Sequence, residues 1–510
     1  MTEVATPPVE QAEGQITPIN HWIGGKPVPG QSGRSGPVYN PATGRQTGAV
    51  DFASVEEVAQ AIAVAKAAFP SWRATSLSRR AEIFFRIRAL FHEHREDIAR
   101  ILTAEHGKVL SDALGEVARG LEVVEFACGI PQLLKGEFTE QASTGIDVYS
   151  IRQPVGVVAG ITPFNFPAMV PMWMFAPAIA CGNTFMLKPS EKDPSASVYL
   201  GQLLQEAGVP DGVFNVVHGD KVAVDALLEH PDIGAISFVG STPVAQYIYR
   251  TATSHGKRCQ ALAGAKNHMV VLPDADIEMA ADAAVSAGYG SAGERCMAIS
   301  MVVAVGHAAE PLIDAIKERI PKIKVGAGLE PGVEMGPLIT REHRDRVASF
   351  IENAPAEGAT VVVDGREGRP DGDGFFLSPT LIDDTKPGMA VYDEEIFGPV
   401  LGITRVETYD EALKLVNENP FGNGTAIFTR DGGVARQFQF DVQAGMVGVN
   451  VPIPVPVAYY SFGGWKNSLF GDTHIYGPEG IAFYTRGKVV TSRWPDPATS
   501  EVDLGFPQTR

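Results

Sequence analysis

From Val155 onward, short β-prone runs alternate with helical segments, and this alternation constrains the fold more than any other feature of the chain. The runs VGVVAGI, NTFMLKP, FNVVHG and AISFVGS are separated by segments such as SVYLGQLLQEAG and AVDALLEH. Strands alternating with helices predict a doubly wound parallel sheet. A second alternating region starts near Met269 and reaches about Val449, with the strands MVVAV, TVVVDG and GTAIFT. Upstream, apolar residues recur at helical spacing from Val55 to Leu102. Leu110, Leu114, Val117, Leu121, Val124 and Cys128 then step 4, 3, 4, 3, 4 along one helical stripe. At about 150 residues per domain, 510 residues allow two or three domains, and two doubly wound α/β domains are expected. The turn-rich loop GREGRPDGDG at 365–374 is predicted to be exposed.

One stretch imitates a membrane span, because no charge occurs between Gln153 and Leu187. Five prolines (154, 163, 167, 171, 177) and the glycines at 156, 160 and 182 interrupt it, leaving no clean interval of about 20 residues. A buried strand followed by a buried helix is predicted instead. The net charge of −18 disfavours a nucleic-acid or anionic-membrane partner. An anionic substrate would therefore need a local basic cluster. The cysteines at 128, 181, 259 and 296 form no CxxC pair, which points to a reducing, cytoplasmic setting, with no metal expected. Residues 1–16 lack the pattern of a targeting signal and read as a flexible arm.

Four places carry candidate chemistry. Gly288, Gly290 and Gly293 spell GxGxxG, but a helical pattern precedes them and a strand follows. This inverts the dinucleotide context, and the match is rejected. Cys296 follows in Gly293-Glu294-Arg295-Cys296. A lone cysteine is usually a small hydrophobe, although an adjacent arginine would favour the reactive thiolate. Asn165, in PFNFP, ends a strand, where an amide can either form a turn or donate to an oxyanion. Lys188 and Glu191, in KPSE, end the next strand. Exposed loop charges are commonly just solvated, yet a carboxylate there suits ribose hydroxyls and would repel a 2′-phosphate. Gly240 and Ser241 end a strand and open a helix, a geometry suited to pyrophosphate.

The ordered set PFNFP, KPSE, FVGS, GERC and EEIFGPV resembles the aldehyde dehydrogenase superfamily over about residues 20 to 490. The resemblance implies that Cys296 is the nucleophile, with Asn165 and the Cys296 backbone N–H as the oxyanion hole. It implies NAD contacts from Thr162, Phe164, Lys188, Glu191, Gly240, Ser241, Glu395 and Phe397. Hydrolytic members carry a glutamate base in E-L-G-G-K, whereas this chain reads Leu262-Ala263-Gly264-Ala265-Lys266. A positioned base typically contributes about 10²–10⁴-fold, so a thiol would have to resolve the thioacyl enzyme. Ala245 stands where many relatives have a glycine, a change expected to affect the pyrophosphate.

These departures, with GAKNH, Phe164, GERCMA and SFGGWKNSLFGD, are similar to the CoA-acylating methylmalonate-semialdehyde dehydrogenase branch. In that branch two arginines hold the substrate carboxylate, and they fall on Arg119 and Arg295. On helical spacing alone Arg119 pairs with Glu116 and is solvated. Glu294 reads either as a proton carrier or as a surface carboxylate. The implied co-substrates are NAD and coenzyme A. The implied oligomer is a homotetramer joined through a β extension at 139–157 and 484–500. The implied NAD-binding domain comprises 17–138 and 158–263, and the catalytic domain 264–449. A hydrolytic enzyme, an acylating enzyme for a neutral aldehyde and a silent scaffold remain alternatives.

Overall fold

The computed structural model describes residues 16–494 and residue 498. The arm at 1–16 therefore lies, but for Ile16, outside the described residues, as do 495–497, 499 and 500 of the proposed extension. Two large sheets organise the chain. In the first, Arg258–Leu262, Ile233–Val239, Val157–Ile161, Thr184–Lys188 and Phe214–Val216 lie side by side and parallel. Short antiparallel strands, Leu469–Phe470 at one edge and His21–Ile23 with Lys26–Val28 at the other, complete eight. The central strands are buried on both faces, which explains why they read as continuous apolar runs rather than alternating ones. Chain order reverses between Val157–Ile161 and its neighbour Ile233–Val239. Crevices at such a switch point, outside the carboxyl ends of the strands, are where open α/β sheets bind ligands. Here those ends are Ile161 and Val239.

The second sheet has seven strands in the order Thr360–Val363, Thr380–Asp383, Val400–Val406, Ile299–Val305, Asn267–Val271, Gly424–Phe428 and Met446–Val449. All pairs are parallel except that of the outermost Thr360–Val363. The glycine motif at 288–293 bridges the end of helix Ile277–Tyr289 and a tight turn before strand Ile299–Val305, the inverted context that sequence required.

The helix Leu110–Cys128 packs its apolar stripe on Met169–Ala180, which is buried along its whole length. Gly120 permits this approach, since a Cβ there would meet Met172 Sδ at 2.7 Å and Met169 Cα at 3.2 Å. Strands Phe138–Ser143, Ile146–Pro154 and Thr485–Arg493 form a separate antiparallel sheet with half-buried Ile146–Pro154 in the middle and mostly exposed strands on either side. Val157, assigned from sequence to this extension, instead opens a buried strand of the first sheet. Among the described residues no helix is long and apolar enough to cross a membrane.

Candidate active site

A cleft of about 460 Å³ opens at the switch point of the first sheet. Its walls include Thr162, Phe164, Asn165, Lys188, Glu191, Gly240, Ser241, Glu395, Phe397 and Cys296, so ten residues singled out from sequence converge on one space. At its floor Asn165 Nδ2 lies 3.4 Å from Cys296 Sγ. Burial pushes the Cys296 thiol up to about 11, a shift only partly offset by the Asn165 amide. Arg295 does not supply the thiolate-favouring charge that sequence suggested, because its guanidinium turns away to Asp112 at 2.8 Å.

The segment carrying Cys296 is held by its backbone. The Cys296 carbonyl accepts from Asn267 Nδ2 at 2.9 Å and from Asn423 Nδ2 at 3.1 Å. Just before it, Ser291, Ala292 and Gly293 all have positive φ (53°, 52° and 75°), which reverses the chain after the preceding helix. The facing 394–397 loop is pinned through its carbonyls. Lys266 Nζ donates to Val391 O and Glu394 O, Arg346 to Ile396 O, and His343 Nε2 contacts Phe397 O at 2.7 Å. Phe397 itself is held at φ 60°, a conformation unusual for an aromatic residue. Burial pushes Glu395 up to about 7, with the Ala265 N–H and Lys266 pulling back.

Toward the outer end of the cleft, Lys188 Nζ meets Glu191 at 3.0 Å. Burial opposes ionisation of Glu191, yet Lys188 and backbone donors hold it below its ordinary value. Lys188 is nearly buried rather than solvated. Ser241 caps the helix Thr242–Ser254 by position, but its hydroxyl makes no capping bond. Thr162 Oγ1 is buried, unpartnered and in the cleft wall. An unpaired hydroxyl, an uncommitted cap and a carboxylate of lowered pKa fit a dinucleotide of pyrophosphate and ribose groups.

The model of the aldehyde dehydrogenase family matches residues 28–490. The chain belongs to the aldehyde dehydrogenase family. It is 53% identical to the malonate-semialdehyde dehydrogenase of Pseudomonas aeruginosa over 96% of this chain and 99% of that protein. The methylmalonate-semialdehyde dehydrogenase of Oceanimonas doudoroffii superposes with a TM-score of 0.93 at 55% identity, covering 95% of this chain and all of the other. A Sinorhizobium meliloti structure complexed with NAD, provisionally assigned to methylmalonate-semialdehyde dehydrogenase, gives 0.94 at 53% identity, over 96% of this chain and all of that one.

Against this aldehyde dehydrogenase frame several sequence expectations need correction. Arg119 pairs with Glu122, at 2.7 Å, rather than with Glu116, and also donates to Pro456 O at 2.9 Å. Glu116 is buried and faces the PFNFP turn. Ala245 is buried in the apolar face of its helix and is not part of the cleft wall, so its methyl fills core. Glu294 is no surface carboxylate: it is fully buried, and burial pushes it up to about 8. Leu262 is buried in the large apolar cluster of the first sheet and pairs with Leu469 on the neighbouring strand. Arg119 and Arg295 are absent from the cleft wall. Arg295 borders a small adjoining hollow of about 20 Å³ that Cys296 shares. Asp112, its partner, lies two turns before Arg119 on the same helix, which puts these two positions on one helical face. Sequence reasoning missed Lys108, Lys266, His343 and Arg346, because each acts on a backbone carbonyl or lines the cleft far from any motif.

Proposed function

We propose that this enzyme oxidises malonate or methylmalonate semialdehyde with NAD and transfers the resulting acyl group, after loss of CO₂, to coenzyme A. The observation that carries the acylating reading is Leu262. Where hydrolytic relatives are expected to keep a carboxylate base, this chain buries an aliphatic side chain among others. The names borne by relatives about half identical to it support the substrate class.

In this reading Cys296 Sγ attacks the aldehyde carbon, and Asn165 Nδ2 with the Cys296 N–H receives the developing oxyanion. Glu395 lines the same cleft as Cys296, and burial pushes it up to about 7, so it can take the displaced proton. NAD, when bound, accepts the hydride. Thr162, Gly240, Ser241, Lys188 and Glu191 would hold its adenosine and pyrophosphate, and Phe164, Glu395 and Phe397 its nicotinamide half. The thioacyl group on Cys296 carries a carboxylate β to its carbonyl, so the C–C bond breaks to CO₂ and an enolate held by the same oxyanion donors. After protonation, the CoA thiol attacks the thioester and Cys296 leaves. Arg119 and Arg295 would hold the substrate carboxylate. Arg119 commits Nη1 to Glu122 and Nη2 to the Val455 and Pro456 carbonyls, which leaves its Nε–H, whereas Arg295 gives only Nη2 to Asp112.

The first sheet is read as the NAD-binding domain and the second as the catalytic domain. The separate three-stranded sheet is read as the element joining a homotetramer. All four cysteines are free thiols, which supports a reducing, cytoplasmic setting. Product identification tests the reading: mass analysis should find acetyl-CoA from malonate semialdehyde and propionyl-CoA from methylmalonate semialdehyde. Arg119→Leu should raise KM for these anionic substrates about tenfold or more while sparing a neutral aldehyde. Equal loss for both would remove the carboxylate role.

A further inference from the structure

Lys108 and Glu116 form a buried ion pair that no step above uses. Lys108 is 1% exposed and Glu116 3%, and their side chains meet at 2.6 Å. Burying two charges is unfavourable unless both are paired and their remaining hydrogen-bonding capacity is filled. Here it is filled, and by one short piece of chain. Lys108 Nζ donates to the main-chain carbonyl of Asn165 at 2.5 Å and stands 4.5 Å over the Phe166 ring. The other Glu116 oxygen accepts from the Ala168 N–H at 2.8 Å and the Met169 N–H at 3.1 Å. These amides open the helix Met169–Ala180, which has no capping side chain of its own. The turn bearing Asn165 is thus gripped at residue 165 from one side and at 168 and 169 from the other.

We infer that Lys108 and Glu116 are positioning residues for the oxyanion donor: the pair fixes the backbone from which the Asn165 amide reaches Cys296. Asn165 Nδ2 has a contact of 3.4 Å to the sulfur, and its buried Oδ1 has no protein partner to orient it. The side chain therefore takes its direction from its own backbone, and the backbone carbonyl at that residue is bound by Lys108. An oxyanion hole works through donors placed before charge develops, and removing one donor typically costs about 10²–10³ in rate. A donor that remains but is released from its anchor should lose part of that.

The inference rests on Asn165 being the oxyanion donor, so the test is a double-mutant cycle. Lys108→Met, Asn165→Ala and the double variant are assayed as full-length enzyme, scoring the first-turnover NADH burst per NAD-binding site. Lys108→Met is expected to slow the burst about tenfold to a hundredfold with NAD affinity within twofold of wild type. In the Asn165→Ala background it is expected to add less than a further twofold. Should Lys108→Met not fold, Glu116→Asp, which keeps both charges and withdraws the carboxylate by one methylene, enters the same cycle with a loss of about threefold to tenfold. Losses that multiply in the double variant, or a wild-type burst in the single one, overturn the positioning role. A wild-type burst in Asn165→Ala alone would instead overturn the oxyanion assignment beneath it.

Discussion

Replacing Gly293 with alanine should separate the two halves of the active site. Gly293 lies three residues before Cys296 at φ 75°, where an alanine costs about 1–2 kcal/mol. The added methyl would also stand 2.1 Å from the Gly398 carbonyl oxygen, 2.5 Å from its carbon and 3.1 Å from Pro399 N. All three atoms are backbone, so no flexible side chain can yield. An ordinary carbon–oxygen contact is about 3.3 Å or more, so the Cys296 loop or the 394–398 loop must retreat by roughly 1 Å. A misplacement of that size costs on the order of a hundredfold in rate. Gly256, at φ 70° with no atom within 4 Å of its would-be methyl, separates strain from collision. Gly256→Ala should lower the apparent unfolding midpoint by a few degrees at fixed scan rate and leave the burst intact. Gly293→Ala should lower the midpoint further and slow the burst about a hundredfold by stopped-flow absorbance. A wild-type burst in Gly293→Ala, or the same loss in Gly256→Ala, would mean that the collision with the Gly398 carbonyl does not govern the rate.

Three further outcomes are expected. With its thiol at about 11, free Cys296 is about 0.1% thiolate at pH 8, so iodoacetamide modification, localised by mass spectrometry, should rise tenfold per pH unit up to pH 10; a plateau below pH 9 would contradict the burial argument. A methyl at Gly290 would sit 2.5 Å from Arg295 Nη1 and push the guanidinium off Asp112. Gly290→Ala should therefore raise KM for malonate semialdehyde about tenfold and leave propanal unaffected, and an unchanged KM would remove Arg295 from the substrate site. Glu191→Gln, which removes the charge facing Lys188, should shift selectivity toward NADP at least tenfold, measured as the ratio of kcat/KM values; an unchanged ratio would place the ribose elsewhere.

Much of this site was legible in the sequence because its polar residues sit at strand ends, and strand ends are visible as breaks in apolar runs. Lys188 and Gly240 each follow such a run directly, and Asn165 comes four residues after another. What stayed hidden are pairings that helical spacing leaves ambiguous or that cross long separations. Arg119 has a glutamate three residues away in both directions, and only packing decides that Glu122 faces it while Glu116 turns inward. Arg295 reads as a neighbour of the nucleophile, yet its carboxylate partner comes from 183 residues upstream. Glu294 looks solvated by composition, and its burial follows from the left-handed turn at 291–293, which no periodicity announces. Ala245 departs from a family glycine, and the structure shows that position facing core.

The claim on which the account depends is that a thiol, not water, resolves the acyl enzyme. NADH formation from malonate semialdehyde, followed with and without coenzyme A, measures this directly. Without coenzyme A a burst of about one NADH per active subunit and then a stall are expected, with the acyl group on Cys296 by mass; adding coenzyme A should restore steady turnover and release acetyl-CoA. Steady turnover to a free acid in the absence of coenzyme A would contradict it and require a general base that Leu262 does not supply.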